Sequence, residues 1–147
     1  AKFMQSVIQE RASNIVSGAI DFAGKDAKIG TIGWCFGGGW SLQASIMAGK
    51  QGSACVMYYG IIENKPETFK ELNAPVLGIF AEKDGWVNPE VYGNLEKNIK
   101  AAGKNITVKS FDADHAFANP SNAKFDEAAT NEAKQLTIKF FKENLMK

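Results

Sequence analysis

Apolar residues recur at helical spacing near the start of the chain. Met4, Val7, Ile8, Ile15, Val16, Ala19, Ile20 and Ala23 predict an amphipathic helix over 3–23, with Gly24 as a natural stop. Short apolar runs then predict strands at 28–32, 54–59, 75–81 and 106–111. The run Val76-Leu77-Gly78-Ile79-Phe80 is apolar on both faces, as in a parallel strand covered on both sides. Helical patterns lie between these strands. One runs over 36–48 and ends at Gly49. Another runs from Asn88 to Gly103, with Asn88 as N-cap, Pro89 at the first helical position and Glu90 at the positive dipole end. Residues 61–73 are polar and loop-like, with room for one helical turn. A last helix is predicted over 122–145, with Ala129, Ala133, Leu136 and Phe140 on one face.

Strands that alternate with helices predict an α/β architecture: a parallel sheet of about four strands with helices on both faces. Neither a repeat nor a linker interrupts the pattern, so residues 1–147 read as a single domain. Such a sheet holds its ligands beyond the carboxyl ends of its strands.

Composition narrows the picture. The chain has 147 residues, enough for one core, and is 45% hydrophobic and 22% charged. A net charge of +1, from 17 basic and 16 acidic residues, gives no reason to expect nucleic acid or an anionic membrane as partner. No apolar run approaches the ~18 residues that span a bilayer. The chain starts Ala1-Lys2-Phe3, without an initiator Met or a visible signal peptide. Two cysteines, Cys35 and Cys55, are too few for a disulfide framework and suit reduced thiols in a cytoplasmic setting. The single histidine matters most, because any imidazole chemistry must use His115.

Three strand ends carry reactive side chains: Cys35 after the first, Asp84 after the third and His115 after the fourth. Gly33-Trp34-Cys35-Phe36-Gly37 has the form of a nucleophile elbow between a strand and a helix. Side chains two before and two after such a nucleophile would clash, which accounts for Gly33 and Gly37. The helix dipole favours a thiolate at Cys35, and the Phe36 N–H is one donor for an oxyanion. His115 sits where it can take the thiol proton. Asp84, in Glu82-Lys83-Asp84-Gly85, is the carboxylate expected to orient the imidazole, with Glu82, Asp112 and Asp114 as competitors. Nucleophile, acid, histidine is the chain order of α/β-hydrolases. Aromatic residues cluster nearby, and Tyr59, Trp86 and Phe117 are the candidates for substrate contact.

These residues resemble the dienelactone hydrolases (carboxymethylenebutenolidases). The resemblance rests on the elbow with Cys in place of Ser, the Asp84 loop, His115-Ala116-Phe117-Ala118, Tyr58-Tyr59-Gly60 and the tail Phe140-Phe141-Lys142. It implies an α/β-hydrolase-type sheet, a Cys35–His115–Asp84 triad and cleavage of an activated ester or lactone through a thioester. It calls for no metal or cofactor, and the partner it implies is a small-molecule ester or lactone. The resemblance covers the C-terminal part of that family's domain, so the chain reads as a partial domain truncated at its N-terminus. The remainder of such a domain supplies a second oxyanion N–H, a Glu near the resting thiol and an Arg for a substrate carboxylate. The enzymes it resembles also carry Ser after the His and an anion-binding Arg four after it, where this chain has Ala116 and Asn119. The unpaired edge of the 28–32 strand is expected to pair with a second copy or with an absent fragment of the chain. Two other readings stand beside the hydrolase. Glutamine amidotransferases share Gly-x-Cys-x-Gly but carry Glu two after the His, where Phe117 stands. A catalytically inactive, folded or oligomeric remnant is the non-enzyme alternative.

Overall fold

The computed structural model describes residues 2–147 of the chain, with side chains from Gln5 onward. The element order is α1 (Lys2–Ala23), β1 (Ile29–Trp34), α2 (Phe36–Ala48), β2 (Gly52–Tyr58), β3 (Val76–Ala81), α3 (Pro89–Ala101), β4 (Ile106–Phe111) and α4 (Glu127–Leu145). Short 3-10 turns lie at Gly49–Gln51 and Pro66–Phe69, the second inside the stretch read as polar loop. All strand pairs are parallel, in the order β1-β2-β3-β4. Among the described residues, no helix is long and apolar enough to cross a membrane.

Each face of the sheet carries its own core. Cys55 and Met57 of β2 and Val76 and Phe80 of β3 point to one face, where Leu42 of α2 and Tyr92, Leu95 and Ile99 of α3 cover them. Val56, Tyr58, Leu77, Ile79 and Ala81 point to the other, against Ala129 and Ala133 of α4. Strand β3 is buried along its whole length, as its unbroken apolar run requires.

Two boundaries differ from the sequence pattern. Strand β1 runs on through Gly33 and Trp34, which keep register with Met57 and Tyr58. The edge strand so reaches the elbow without a break. Helix α4 starts at Glu127, not at 122, because Asp126 caps it by accepting from the Ala129 N–H at 2.9 Å. Asn119 and Asn122 accept from backbone N–H groups two residues on and hold the preceding segment in turns, the usual competition of Asn with helix.

Helix α1 forms as the periodicity predicts, but its apolar face is only partly covered, with Val16 and Ile20 half-buried. None of its described side chains is buried, and Val7, Ile8, Ile15 and Phe22 are exposed, Phe22 at 94%. Met4 lies outside the described side chains. Helix α1 touches the rest of the molecule through α2 and through a groove at Ile29, Thr31 and Ala44. Strand β1 is the sheet edge beside it. Ile32 and Trp34 of this edge strand are exposed too, on the opposite face of the sheet, in register with Val56 and Tyr58.

Candidate active site

The turn from β1 into α2 sets the backbone of Cys35 at φ 54°, ψ −123°. This is a costly conformation for any residue with a Cβ. It is held in place by the Cys35 N–H, which donates to the Tyr58 carbonyl at 3.0 Å, and by the Gly38 N–H, which donates to the Cys35 carbonyl at 2.9 Å. The described non-glycine residues with φ in the left-handed region are Cys35, Tyr59 and Ala116. All three flank the same sheet edge, following β1, β2 and β4.

Tight strand–helix approach explains part of the glycine pattern. A Cβ on Gly33 would lie 1.9 Å from the Gly37 carbonyl oxygen, so that position admits glycine alone. Gly37 differs from expectation: a Cβ there would meet nothing within 4 Å. The second close approach falls at Gly38, where a Cβ would lie 2.6 Å from the Tyr58 carbonyl oxygen and 3.2 Å from Gly60. Cys35 thus sits where α2 closes onto the carboxyl end of β2. As the first helical residue, Phe36 has an N–H with no intrahelical acceptor, beside the thiol.

Asp84 and His115 come together across 31 residues of sequence. His115 Nδ1 lies 2.5 Å from Asp84 Oδ2. The other carboxylate oxygen, Oδ1, accepts from the Trp86 N–H at 2.8 Å and the Val87 N–H at 2.9 Å. The same side chain therefore makes the turn and holds the imidazole. With three donors on an almost fully buried carboxylate, Asp84 is fixed in one orientation. Its competitors are engaged elsewhere. Glu82 accepts from Ser110, Asp112 pairs with Lys83 at 3.0 Å, and Asp114 faces Lys124 at 3.9 Å.

The His115 ring packs between aromatic neighbours, 5.0 Å from Tyr59 and 6.1 Å from Trp86 between centroids. Tyr59 is buried, and its phenol is pushed far above its ordinary range by burial and then by the Cys35 charge. It therefore acts as a neutral wall. Burial, and next the negative charge of Asp84, also push the Cys35 thiol up from its ordinary value. Burial and Asp84 thus work against the thiolate that the helix dipole favours. Forming a thiolate from a thiol raised in this way calls for a base.

A cavity of about 380 Å³ opens beside Cys35. Phe36, Trp40, Ile61, Ile62 and Trp86 give it an apolar lining, with Tyr59 behind the thiol. Phe117 does not reach it. That side chain is fully enclosed, 5.5 Å from Tyr59 and 5.4 Å from Phe111, so the expected substrate contact is a core contact that backs Tyr59. The sequence pattern missed Gln9, Gln43 and Glu63, which also line the cavity. Ile61, Ile62 and Glu63 could have been suspected from their place just past a strand end. Gln9, on a distant helix, had no local signal.

For any hydrolytic step that runs through His115, Asp84→Asn is expected to lower the rate by about a thousandfold or more at neutral pH. The amide keeps the shape but cannot accept from the Trp86 and Val87 N–H groups and the imidazole at once. Steady-state rates and a pH profile check this; a loss under tenfold would make Asp84 a turn residue only.

The model of the dienelactone hydrolase family matches residues 1–145. Carboxymethylenebutenolidase 1 of Cupriavidus pinatubonensis is 28% identical over 134 residues, covering 88% of this chain and 56% of that protein. Carboxymethylenebutenolidase of Pseudomonas sp. strain P51 is 30% identical over 118 residues, covering 80% of this chain and 48% of that protein. The chain thus spans about half the length of these relatives. Among solved structures, a dienelactone hydrolase-like promiscuous phosphotriesterase from metagenomic libraries superposes with a TM-score of 0.81 at 19% identity. The match covers 97% of this chain and 66% of that one, a likeness of fold.

Proposed function

Since the chain belongs to the dienelactone hydrolase family, we propose that it cleaves an activated ester or a lactone through Cys35, His115 and Asp84. The observation that carries this reading is the imidazole held by Asp84 at 2.5 Å, at the sheet edge that bears the Cys35 elbow. His115 takes the thiol proton through its free ring nitrogen. The sulfur attacks the carbonyl carbon, and the displaced π pair becomes an oxyanion against the Phe36 N–H. Collapse breaks the ester C–O bond, and the leaving oxygen takes the proton from His115. Water, deprotonated by His115, then adds to the thioester. The thiolate departs, recovers its proton, and the acid is released. A thiolate is itself a good leaving group and is re-expelled when the alternative is poor. Activated esters and enol lactones therefore suit this nucleophile better than amides.

Exposure to p-nitrophenyl acetate followed by electrospray is expected to show a mass gain of one acetyl group on the peptide that bears Cys35. If neither that adduct nor turnover above buffer appears, the enzyme reading fails, and the chain is an inactive hydrolase-like remnant.

The exposed β1 edge, flanked by Ile32 and Trp34, fits a second copy of the chain about a two-fold axis. Light scattering should then report a dimer; a monomer at all accessible concentrations overturns this assignment. Both cysteines are free and Cys55 is fully enclosed, which supports a reducing compartment such as the cytoplasm.

A further inference from the structure

The cavity beside Cys35 carries a charge signature of its own. Among the described residues that line it, one is charged: Glu63, just past the carboxyl end of β2. Gln9 and Gln43 are its long neutral polar neighbours, and Phe36 and Trp86 stand exposed at its mouth. Glu63 is itself exposed and makes no ion pair among the described residues. Lys65, two residues on, is not on the cavity wall. A carboxylate without an ion-pair partner, with open aromatic faces on the same cavity, favours an organic cation through Coulomb attraction and through the ring quadrupoles. It disfavours a second carboxylate.

We propose that this cavity selects substrates by charge, preferring esters whose bound group is cationic over neutral ones and neutral ones over carboxylate-bearing ones, with Glu63 as the specificity-determining residue. The inference rests on the hydrolase reading for its reaction but not for its binding preference. Glu63 acts here on the substrate's remote group, outside the bond-making steps. Its exposure also means that its influence is screened by water and salt. The expected effects are therefore moderate.

The test uses p-nitrophenyl esters of trans-4-(trimethylammonio)-, trans-4-tert-butyl- and trans-4-carboxycyclohexanecarboxylate, whose 4-substituents cannot reach the ester carbonyl and which differ mainly in the charge of that group. For the wild-type chain at low ionic strength, kcat/KM is expected to fall about two- to fivefold at each step from cation to neutral to anion. The spread should shrink in high salt. Glu63→Gln should flatten the series, and Glu63→Lys should reverse it. A series that places the carboxylate-bearing ester level with the neutral one, or one unchanged in Glu63→Gln, overturns the proposal. If none of the three esters acylates Cys35, the hydrolase reading fails, and the charge preference is then read by binding alone. Saturable quenching of tryptophan fluorescence by benzyltrimethylammonium, weakened in Glu63→Gln and absent with benzoate, supports it. Equal binding of the two ions overturns it.

Discussion

Cys35→Ala is expected to lower p-nitrophenyl acetate hydrolysis by at least about a thousandfold and to abolish the acyl adduct, because no other group at the site can form the thioester. Cys55 cannot substitute. It is fully enclosed between α2 and β2, held near the Ser41 hydroxyl, and burial pushes its thiol up. His115→Ala should give a loss of similar size at neutral pH for a different reason. The Cys35 thiol is pushed above its ordinary value by burial and by Asp84, so without a base it stays protonated. As pH rises toward and beyond the ordinary thiol range, the thiolate fraction of His115→Ala grows, and its acylation rate should climb with it. Cys35→Ala should show no such recovery. Stopped-flow release of p-nitrophenolate against pH separates the two variants. A Cys35→Ala rate within tenfold of wild type would remove the nucleophile from the mechanism.

The largest expected effect on stability is at Gly33. Gly33→Ala puts a methyl group 1.9 Å from the Gly37 carbonyl oxygen and 2.4 Å from its carbon. Both are backbone atoms, so no rotamer change relieves the contact. Strand β1 and the first turn of α2 must separate, and the elbow they form is lost. A cost above about 4 kcal/mol is expected, a large share of the ~5–15 kcal/mol that holds a domain of this kind folded. Gly37→Ala is the internal control. The added methyl meets nothing within 4 Å, and alanine is the better helix former, so stability should hold or rise by up to about 1 kcal/mol. Urea denaturation of the pair measures the difference. Equal midpoints for the two variants would mean that the close approach is not what constrains the elbow.

Much of the fold could be read from the sequence, because its strands announce themselves. The Val76–Phe80 run has no polar position, which only a strand covered on both faces allows, and β3 is buried throughout. Asn88-Pro89 marks the start of α3, where Asn88 accepts from the Val91 N–H at 3.0 Å. The start of α4 was harder, because Asn119, Asn122 and Asp126 are all capping residue types and only Asp126 caps a helix. At the site, chain order and strand-end placement pointed to Cys35, Asp84 and His115, and the structure joins the last two through the imidazole. They could not say which glycines are forced, since Gly33 and Gly37 look equivalent in one dimension and differ by the direction of their Cβ vectors. Nor could they separate Trp86, which lines the cavity, from Phe117, which packs behind Tyr59. Both are aromatic residues near a strand end, and burial alone distinguishes them.

Gln9 brings helix α1 into the cavity wall, yet α1 buries none of its described side chains. That wall is therefore borne by the element least tied to the rest of the molecule. Detachment of α1 would be a local opening, expected to cost less than global unfolding because it uncovers no buried α1 side chain. A molecule seated against Gln9 draws on that same opening equilibrium, so filling the cavity and docking the helix are thermodynamically linked. Amide hydrogens of α1 should exchange fastest in the empty protein and slow when the cavity is occupied, while those of the fully buried strand β3 should scarcely respond.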